Sequence, residues 1–269
     1  MQSYRQLGSV AWALGTALAI FGVVAAGAQS QAPAAQQPPA GQSQQLQLAA
    51  PKSYEPIPVK PAEPYKDASF DAFRKQFADV VKRKDRAALQ RMVVTQGFFW
   101  ESESGDKINK KRSSFENFAT AVGLDDKDGA GWELLAQAAV DPTLEPVEDR
   151  KDTLCGPASP QLDEDKFEAL LKTTETDAEE WGFPNIPNLE VRAAAQPNAP
   201  IIETLGMNLV RVFPEEPTGN QPPEMLRVVG PSGKVGFVPL TALSPIVFDQ
   251  LCYVKQGGSW KITGYAGGE

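Results

Sequence analysis

The chain contains no histidine and only two cysteines among its 269 residues. Without histidine, a Ser-His-Asp triad, a Cys-His peptidase centre and a histidine-ligated zinc site are all excluded. Paired carboxylates of the kind that glycosidases use are still present, in Glu101 and Glu103 beside Trp100 and in Asp163-Glu164-Asp165. In an acidic protein such clusters are usually solvated surface. We therefore expect a chain that is not an enzyme and that uses neither a cofactor nor a metal.

Positive charge is also scarce. Acidic residues number 34 and basic residues 26, which gives a formal net charge of -8. An acidic chain is poorly suited to contact a phosphate backbone, so nucleic acid is excluded as a partner. Two short basic clusters, in residues 82–86 and 107–112, are typical of solvated helix ends and loops. An anionic glycan or lipid is the alternative partner for these clusters.

The first 28 residues have the pattern of a secretory signal peptide. Arg5 is the only charged residue there, an apolar run begins at Leu7, and the small residues Ala26-Gly27-Ala28 end it. This pattern predicts cleavage after Ala28 and a periplasmic or secreted protein without a stable membrane span. Because the apolar run is about 20 residues long, an uncleaved membrane anchor is the alternative.

Residues 29–64 are rich in Gln, Pro, Ala and Ser, and include Pro38-Pro39 and five more prolines from Pro51 to Pro64. Such a segment has too little apolar surface to offset the entropy that ordering costs. It predicts a disordered or polyproline-like linker. An inert spacer is the simplest role for it.

Cys155 and Cys252 both lie in the part of the chain that is predicted to be exported. An even number of cysteines in an oxidising compartment predicts a disulfide between them. A reactive thiol at Cys155 is the alternative, but a cysteine nucleophile needs a histidine or another cation to hold its thiolate. We therefore expect a structural disulfide.

Residues 65–185 show mainly helical patterns. Apolar residues recur at helical spacing after Ser69, after Asp85, and after Ser113 or Ser114, and these side chains are suited to cap helices. From Phe70 to Glu101, the order of helix, Asp-capped helix and aromatic strand resembles the opening of cone-shaped NTF2-like domains. No strand-rich continuation is evident before residue 185, so we expect a mainly helical domain.

Residues 186–269 contain short runs of β-branched and aromatic residues separated by Pro, Gly and Asn. Pro231-Ser232-Gly233 suits a three-residue hairpin turn with Gly233 in the left-handed conformation. Repeated hairpins of this kind predict a small, closed or partly closed β-sheet. The fold class expected for the whole chain is therefore α+β.

This second region resembles the bacterial SH3 family, whose repeats typically open with an Asn-Val-Arg-like triplet and end with a Gly-Tyr-Val-like one. Glu190-Val191-Arg192 and Gly236-Phe237-Val238 hold those places here. The chain departs from the family in the insertion 214–223, and in Met225, where members often have Trp or Tyr. The resemblance implies an SH3-like small β-barrel in residues 186–269, with an extra hairpin at the C-terminus.

In that family, aromatic residues and loops around the sheet often form a shallow groove for cell-wall peptides or partner proteins. The resemblance therefore implies that Phe213, Phe237 and the insertion are ligand contacts, while ordinary core packing is the alternative for the two rings. The C-terminal hairpin adds Trp260 and Tyr265 as ligand candidates, while a buried Trp that closes an interdomain seam is the simpler alternative. Two strands alone are marginal in water, so this hairpin should extend the barrel sheet or pack on the helical domain.

These observations predict an exported, non-catalytic envelope protein whose SH3-like domain binds a periplasmic protein or a peptidoglycan peptide. One alternative is a carboxylate-dependent glycan hydrolase that uses the barrel for targeting. Another is a purely structural envelope protein.

Overall fold

The computed structural model describes residues 51–213 and 224–267. The predicted signal peptide, the predicted linker up to residue 50 and the insertion 214–223 lie outside them. The described residues form five α-helices and two β-sheets, which confirms a mixed α+β fold. No helix in these residues has the length and apolar composition needed to cross a membrane.

Four helices precede the longer strands in the chain: α1 (Ala68–Lys82), α2 (Arg86–Met92), α3 (Ser114–Ala121) and α4 (Ala130–Val140). Asp67, rather than the predicted Ser69, caps α1, because its carboxylate accepts two backbone N–H groups of the first turn. The predicted cap Asp85 accepts a backbone N–H in α2. Ser113 caps α3 and forms a capping box with Glu116.

A six-stranded sheet, the first sheet, packs against these helices. Its strands are β1 (Phe99–Ser102), β2 (Gly105–Asp106), β3 (Glu145–Pro146), β4 (Thr153–Gly156), β12 (Gln250–Gln256) and β13 (Ser259–Ala266). The order across the sheet is β2-β1-β13-β12-β4-β3, so the C-terminal hairpin lies at its centre. Of the two placements expected for this hairpin, packing on the helical region is the one observed.

The first sheet adds short strands to residues 65–185, the region that was expected to be mainly helical and that contains all five α-helices of the described residues. Its strands from that region are only two or four residues long, whereas β12 and β13 have seven and eight residues. A sequence window that ends at residue 185 therefore misses the longest strands of the sheet. The helices and the hairpin share one core, which includes Phe77, Phe118, Leu135 and Ile262, all fully buried.

The second sheet has seven strands: β5 (Trp181–Pro184), β6 (Leu189–Arg192), β7 (Ile201–Leu205), β8 (Val210–Phe213), β9 (Met225–Val229), β10 (Val235–Pro239) and β11 (Leu243–Pro245). Their order is β11-β5-β8-β9-β10-β6-β7. Gly233 in the turn between β9 and β10 has a φ of 80°, the left-handed conformation predicted for it. The fifth helix, α5 (Glu164–Thr174), contributes Leu170 to a small core beside Trp181.

Residues 51–64, which belong to the predicted linker, are packed rather than disordered. Ile57 and Val59 are only 2% and 4% exposed, and the prolines at positions 56 and 58 between and beside them are exposed. The Leu209 N–H donates to the Ile57 carbonyl, and the Val59 N–H donates to the Met207 carbonyl. The segment therefore pairs like a strand at the edge of the fold. Proline is compatible with this position, because it has no N–H to donate and an edge strand does not need one at every residue.

The predicted disulfide joins Cys155 on β4 to Cys252 on β12. The two residues face each other directly in the antiparallel pair, with Cα atoms 4.0 Å apart. Both side chains are buried and pack against Phe99 on β1. The bond therefore links two neighbouring strands of the first sheet, β4 and β12, that come from distant stretches of the chain.

Candidate functional site

A groove of about 720 Å³ lies between α4 and the β5–β11 edge of the second sheet. Residues from four separate parts of the chain line it: the segment after Lys60, α4 with the turn that follows, residues 157–160, and the strands and loop between Phe183 and Leu251. None of these residues was a predicted site residue. Local patterns do not reveal the groove, because only the tertiary fold brings the four segments together.

The α4 wall of the groove carries polar and acidic side chains beside the apolar Ala130, Leu134 and Ala138. Glu133 and Gln137 are four residues apart and therefore lie on one helix face, and Asp141 continues that face beyond the helix end. The Asp141 carboxylate accepts the Thr143 backbone N–H at 2.7 Å and the Thr143 hydroxyl at 2.5 Å. These bonds fix the carboxylate at the rim of the groove.

The opposite wall carries aromatic and neutral polar groups. Phe183 is buried and Phe248 half-buried, and both line the groove. The Ser244 hydroxyl donates to the Asn185 side-chain oxygen at 2.5 Å, and the Asn185 amide donates to the Thr241 carbonyl at 3.0 Å. This chain of hydrogen bonds holds the β5–β11 edge in position beside the groove.

Tyr265, a predicted ligand residue, lies beneath the groove. It is only 2% exposed, and its hydroxyl donates to Oδ2 of Asp249, a lining residue, at 2.5 Å. Burial raises the pKa of the Tyr265 phenol far above its ordinary value, and the hydrogen bond to Asp249 raises it further. Tyr265 is therefore a neutral hydrogen-bond donor that positions Asp249.

Trp260, another predicted ligand residue, belongs to the core of the first sheet. It is 7% exposed, and its indole N–H donates to the Ser69 hydroxyl at 2.9 Å. Its ring packs edge-on against Phe70 and Tyr65, with centroid distances of 5.1 and 6.3 Å. The structure thus places Trp260 away from the groove lining, in the seam between the hairpin and α1.

Phe213 and Phe237 lie on the face of the second sheet opposite its core, which we call the outer face. Arg227 on β9 pairs in register with Phe213 on β8 and with Phe237 on β10. The Arg227 guanidinium carbon lies 4.5 Å from the Phe213 ring centroid, a cation–π distance. Phe213 is nearly buried under this contact, whereas Phe237 is half-exposed.

Sequence reasoning missed Arg227. Arg227 lies between Leu226 and Val228, whose side chains pack towards the core. Because successive side chains of a strand point to opposite faces, this position indicates that Arg227 points outward. The row that it forms with the two phenylalanines depends on strand register, which the spacing of the sequence does not give. The outer face is therefore the second candidate site.

The two carboxylate clusters considered for glycan hydrolysis do not line the groove. Glu101 forms an ion pair with Arg150, whose guanidinium lies 3.7 Å from the Phe99 ring centroid, and Glu103 is exposed. Asp163 caps α5 by accepting the Lys166 N–H at 3.0 Å. In the part of the chain that the structure describes, no three acidic or cysteine side chains are arranged to hold a metal ion.

Comparisons of the chain with protein-family models, with curated proteins and with solved structures found no match.

Proposed function

We propose that this chain is an exported, non-catalytic binding protein of the cell envelope, and that it binds an extended peptide from the cell wall or from a periplasmic protein. The observation that carries this proposal is the groove beside α4. Its volume of about 720 Å³ falls within the range of about 300–1,000 Å³ that is typical of ligand sites. Its lining combines apolar surface with a few hydrogen-bonding groups, which is also typical of such sites.

Exposed apolar side chains around the groove support the proposal. Val140, Ile186 and Val247 are 71%, 54% and 43% exposed, and each is adjacent in the chain to a residue that lines the groove. Exposed apolar surface beside a concave site is typical of an interaction surface. The side chains of Asn185 and Ser244 offer hydrogen-bonding groups to the backbone of a peptide.

We also propose that the second sheet is SH3-like. The triplets that carry the resemblance, Glu190-Val191-Arg192 and Gly236-Phe237-Val238, lie on β6 and β10, which are hydrogen-bonded neighbours. In this proposal the barrel region supplies one wall of the groove through β5 and β11. The signal-peptide pattern and a buried disulfide support export to an oxidising compartment.

The test is co-sedimentation of the mature chain, residues 29–269, with purified peptidoglycan, together with cross-linking in the native periplasm. Gln137→Trp places a large ring in the groove from an exposed helix position. Ala136→Trp is the matched control, since Ala136 is also exposed on α4 but does not line the groove. We expect Gln137→Trp to abolish binding and Ala136→Trp to preserve it.

Three outcomes contradict the proposal. If the two tryptophan variants bind equally well, the ligand does not occupy the groove. The binding function itself fails if the wild-type protein does not sediment with peptidoglycan and also forms no cross-link to a periplasmic protein that is lost in Gln137→Trp. Release of reducing sugar from peptidoglycan by the purified protein would contradict its non-catalytic character and support the glycan hydrolase instead.

A further inference from the structure

The charge of the groove is of one sign. Glu133, Asp141 and Asp249 contribute carboxylates from α4, from the turn after it and from the loop before β12. No lysine or arginine is among the described residues that line the groove. The chain as a whole has a formal net charge of -8, which adds to the negative potential there.

No basic side chain neutralises the carboxylates of Glu133 and Asp141 in the described contacts. Asp141 accepts hydrogen bonds from the neutral Thr143, and Glu133 forms no ion pair in the described part of the chain. Arg74 reaches the end of α4, where its guanidinium donates to the Val140 carbonyl at 2.9 Å. The same guanidinium lies 3.7 Å from the Asp71 carboxylate, and Arg74 does not line the groove. The wall is therefore suited to a positively charged group from outside.

The rest of the lining suits the aliphatic part of such a group. Pro61, Pro157, Pro160 and Pro245 provide apolar surface, and Phe248 offers an aromatic ring. A lysine-like side chain can lay its methylene stem along apolar surface while its ammonium group meets carboxylates. An aromatic face also attracts a cation.

We propose that the groove selects peptides that carry a free side-chain ammonium group, namely a lysine or another diamino acid, that Glu133 binds this group, and that Asp141 adds to the negative potential that attracts it. The inference rests on the proposed function, because it names the chemistry of the ligand in the same groove. Binding of this kind combines short charge-assisted hydrogen bonds with a shape that accepts an extended chain. A neutral or acidic peptide of the same length lacks the first of these contributions.

The test uses two synthetic probes and the mature chain, residues 29–269. One probe is the N-acetylated, C-amidated peptide Ala-Gln-Lys-Ala, in which the lysine ammonium is the only charge, and the other is the same peptide with its lysine Nε-acetylated. Calorimetric titration at low salt should show about tenfold tighter binding of the first probe, which corresponds to about 1.4 kcal/mol. Higher salt should reduce this preference, because the groove is open to solvent.

Two substitutions with the same change in charge localise the effect. Glu133→Gln removes an exposed carboxylate from the groove wall and should weaken binding of the lysine probe by about three- to tenfold, without changing the affinity for the acetylated probe. Glu103→Gln removes an exposed carboxylate outside the groove and should change neither affinity. Circular dichroism of both variants checks that the fold is retained.

The outcomes separate this inference from the proposed function. If both probes bind equally and Gln137→Trp abolishes their binding, the groove binds peptides but does not select an ammonium group, and the inference is overturned. If neither probe binds, the inference is also overturned, while peptidoglycan co-sedimentation still decides the proposed function. Peptidoglycan fragments with free amines and the same fragments with acetylated amines are a second pair of ligands to compare. Equal binding of these two ligands would also contradict the inference.

Discussion

The indole N–H of Trp260 donates a hydrogen bond to the hydroxyl of Ser69, and the two atoms lie 2.9 Å apart. This bond joins the last strand of the first sheet to the first turn of α1, across 191 residues of sequence. The same hydroxyl donates to Asp67 at 2.5 Å and accepts a hydrogen bond from the ammonium group of Lys255 at 2.8 Å. Ser69 is therefore the centre of a polar network at the edge of an aromatic core.

Ser69→Ala tests this network. The substitution leaves the indole N–H of Trp260 without its acceptor, and a buried donor without a partner costs about 1–3 kcal/mol. We expect the free energy of unfolding in urea to fall by about this amount. Ser159→Ala, at an exposed hydroxyl, is the control and should change stability by less than about 0.5 kcal/mol. Equal effects of the two substitutions would argue against the network.

The lowered pKa of Asp67 predicts that the free energy of unfolding falls at acidic pH. Hydrogen bonds from the Ser69 hydroxyl and the Phe70 backbone N–H lower the pKa of Asp67 from 3.8 to about 2. Because the pKa is lower in the folded state, Asp67 stabilises the fold above about pH 4, and this contribution disappears as the pH falls towards 2. Asp67→Asn keeps a capping side chain and removes the charge. The difference in unfolding free energy between wild type and Asp67→Asn should therefore shrink below pH 4, whereas a difference that is constant with pH would contradict this assignment.

Reduction of the disulfide should destabilise the protein strongly. Cys155 and Cys252 are 97 residues apart in sequence, and on the chain-entropy model closing a loop of this length contributes about 4–5 kcal/mol. Denaturant unfolding of the Cys155→Ala, Cys252→Ala double variant should show a loss of at least about 2 kcal/mol. Wild type unfolded with and without reductant provides the matched comparison, and the reductant should have no effect on the double variant. Stoichiometric labelling of either thiol in the native, unreduced protein would contradict the disulfide.

Phe237→Ala separates the two candidate sites. Phe237 is half-exposed on the outer face and does not line the groove, so binding in the groove predicts that this substitution leaves peptide affinity unchanged. Peptide titration of Phe237→Ala beside Gln137→Trp measures the contrast. If Phe237→Ala abolishes binding and Gln137→Trp does not, the ligand occupies the outer face that the resemblance to the bacterial SH3 family implies.

Features that depend on a few neighbouring residues could be predicted from the sequence. Asp85 caps its helix as expected, Ser113 is the cap of the two serines that were candidates, and Gly233 adopts the left-handed conformation that its turn requires. The disulfide was predictable because the chain has only two cysteines. In each case the physical cause lies in the residue types themselves or in their close spacing.

Features that depend on distant pairing could not be predicted. The groove needs four separate segments to meet, and Arg227 joins Phe213 to Phe237 only through strand register. The parallel pairing of β1 with β13 connects Phe99 to Gly264, across most of the described chain. Ile57 and Val59 are different, because their alternation was readable, but the high proline content around them favoured a linker.

The central position of the C-terminal hairpin makes the first sheet depend on pairing between distant parts of the chain. β13 lies between β1 and β12, and β12 lies between β13 and β4, so only the hairpin joins β1 and β4 into one sheet. Without β12 and β13, the helices lack the hairpin side of their shared core, which includes Leu251 and Ile262. Pairing between such distant parts of the chain raises the contact order, and a high contact order slows folding.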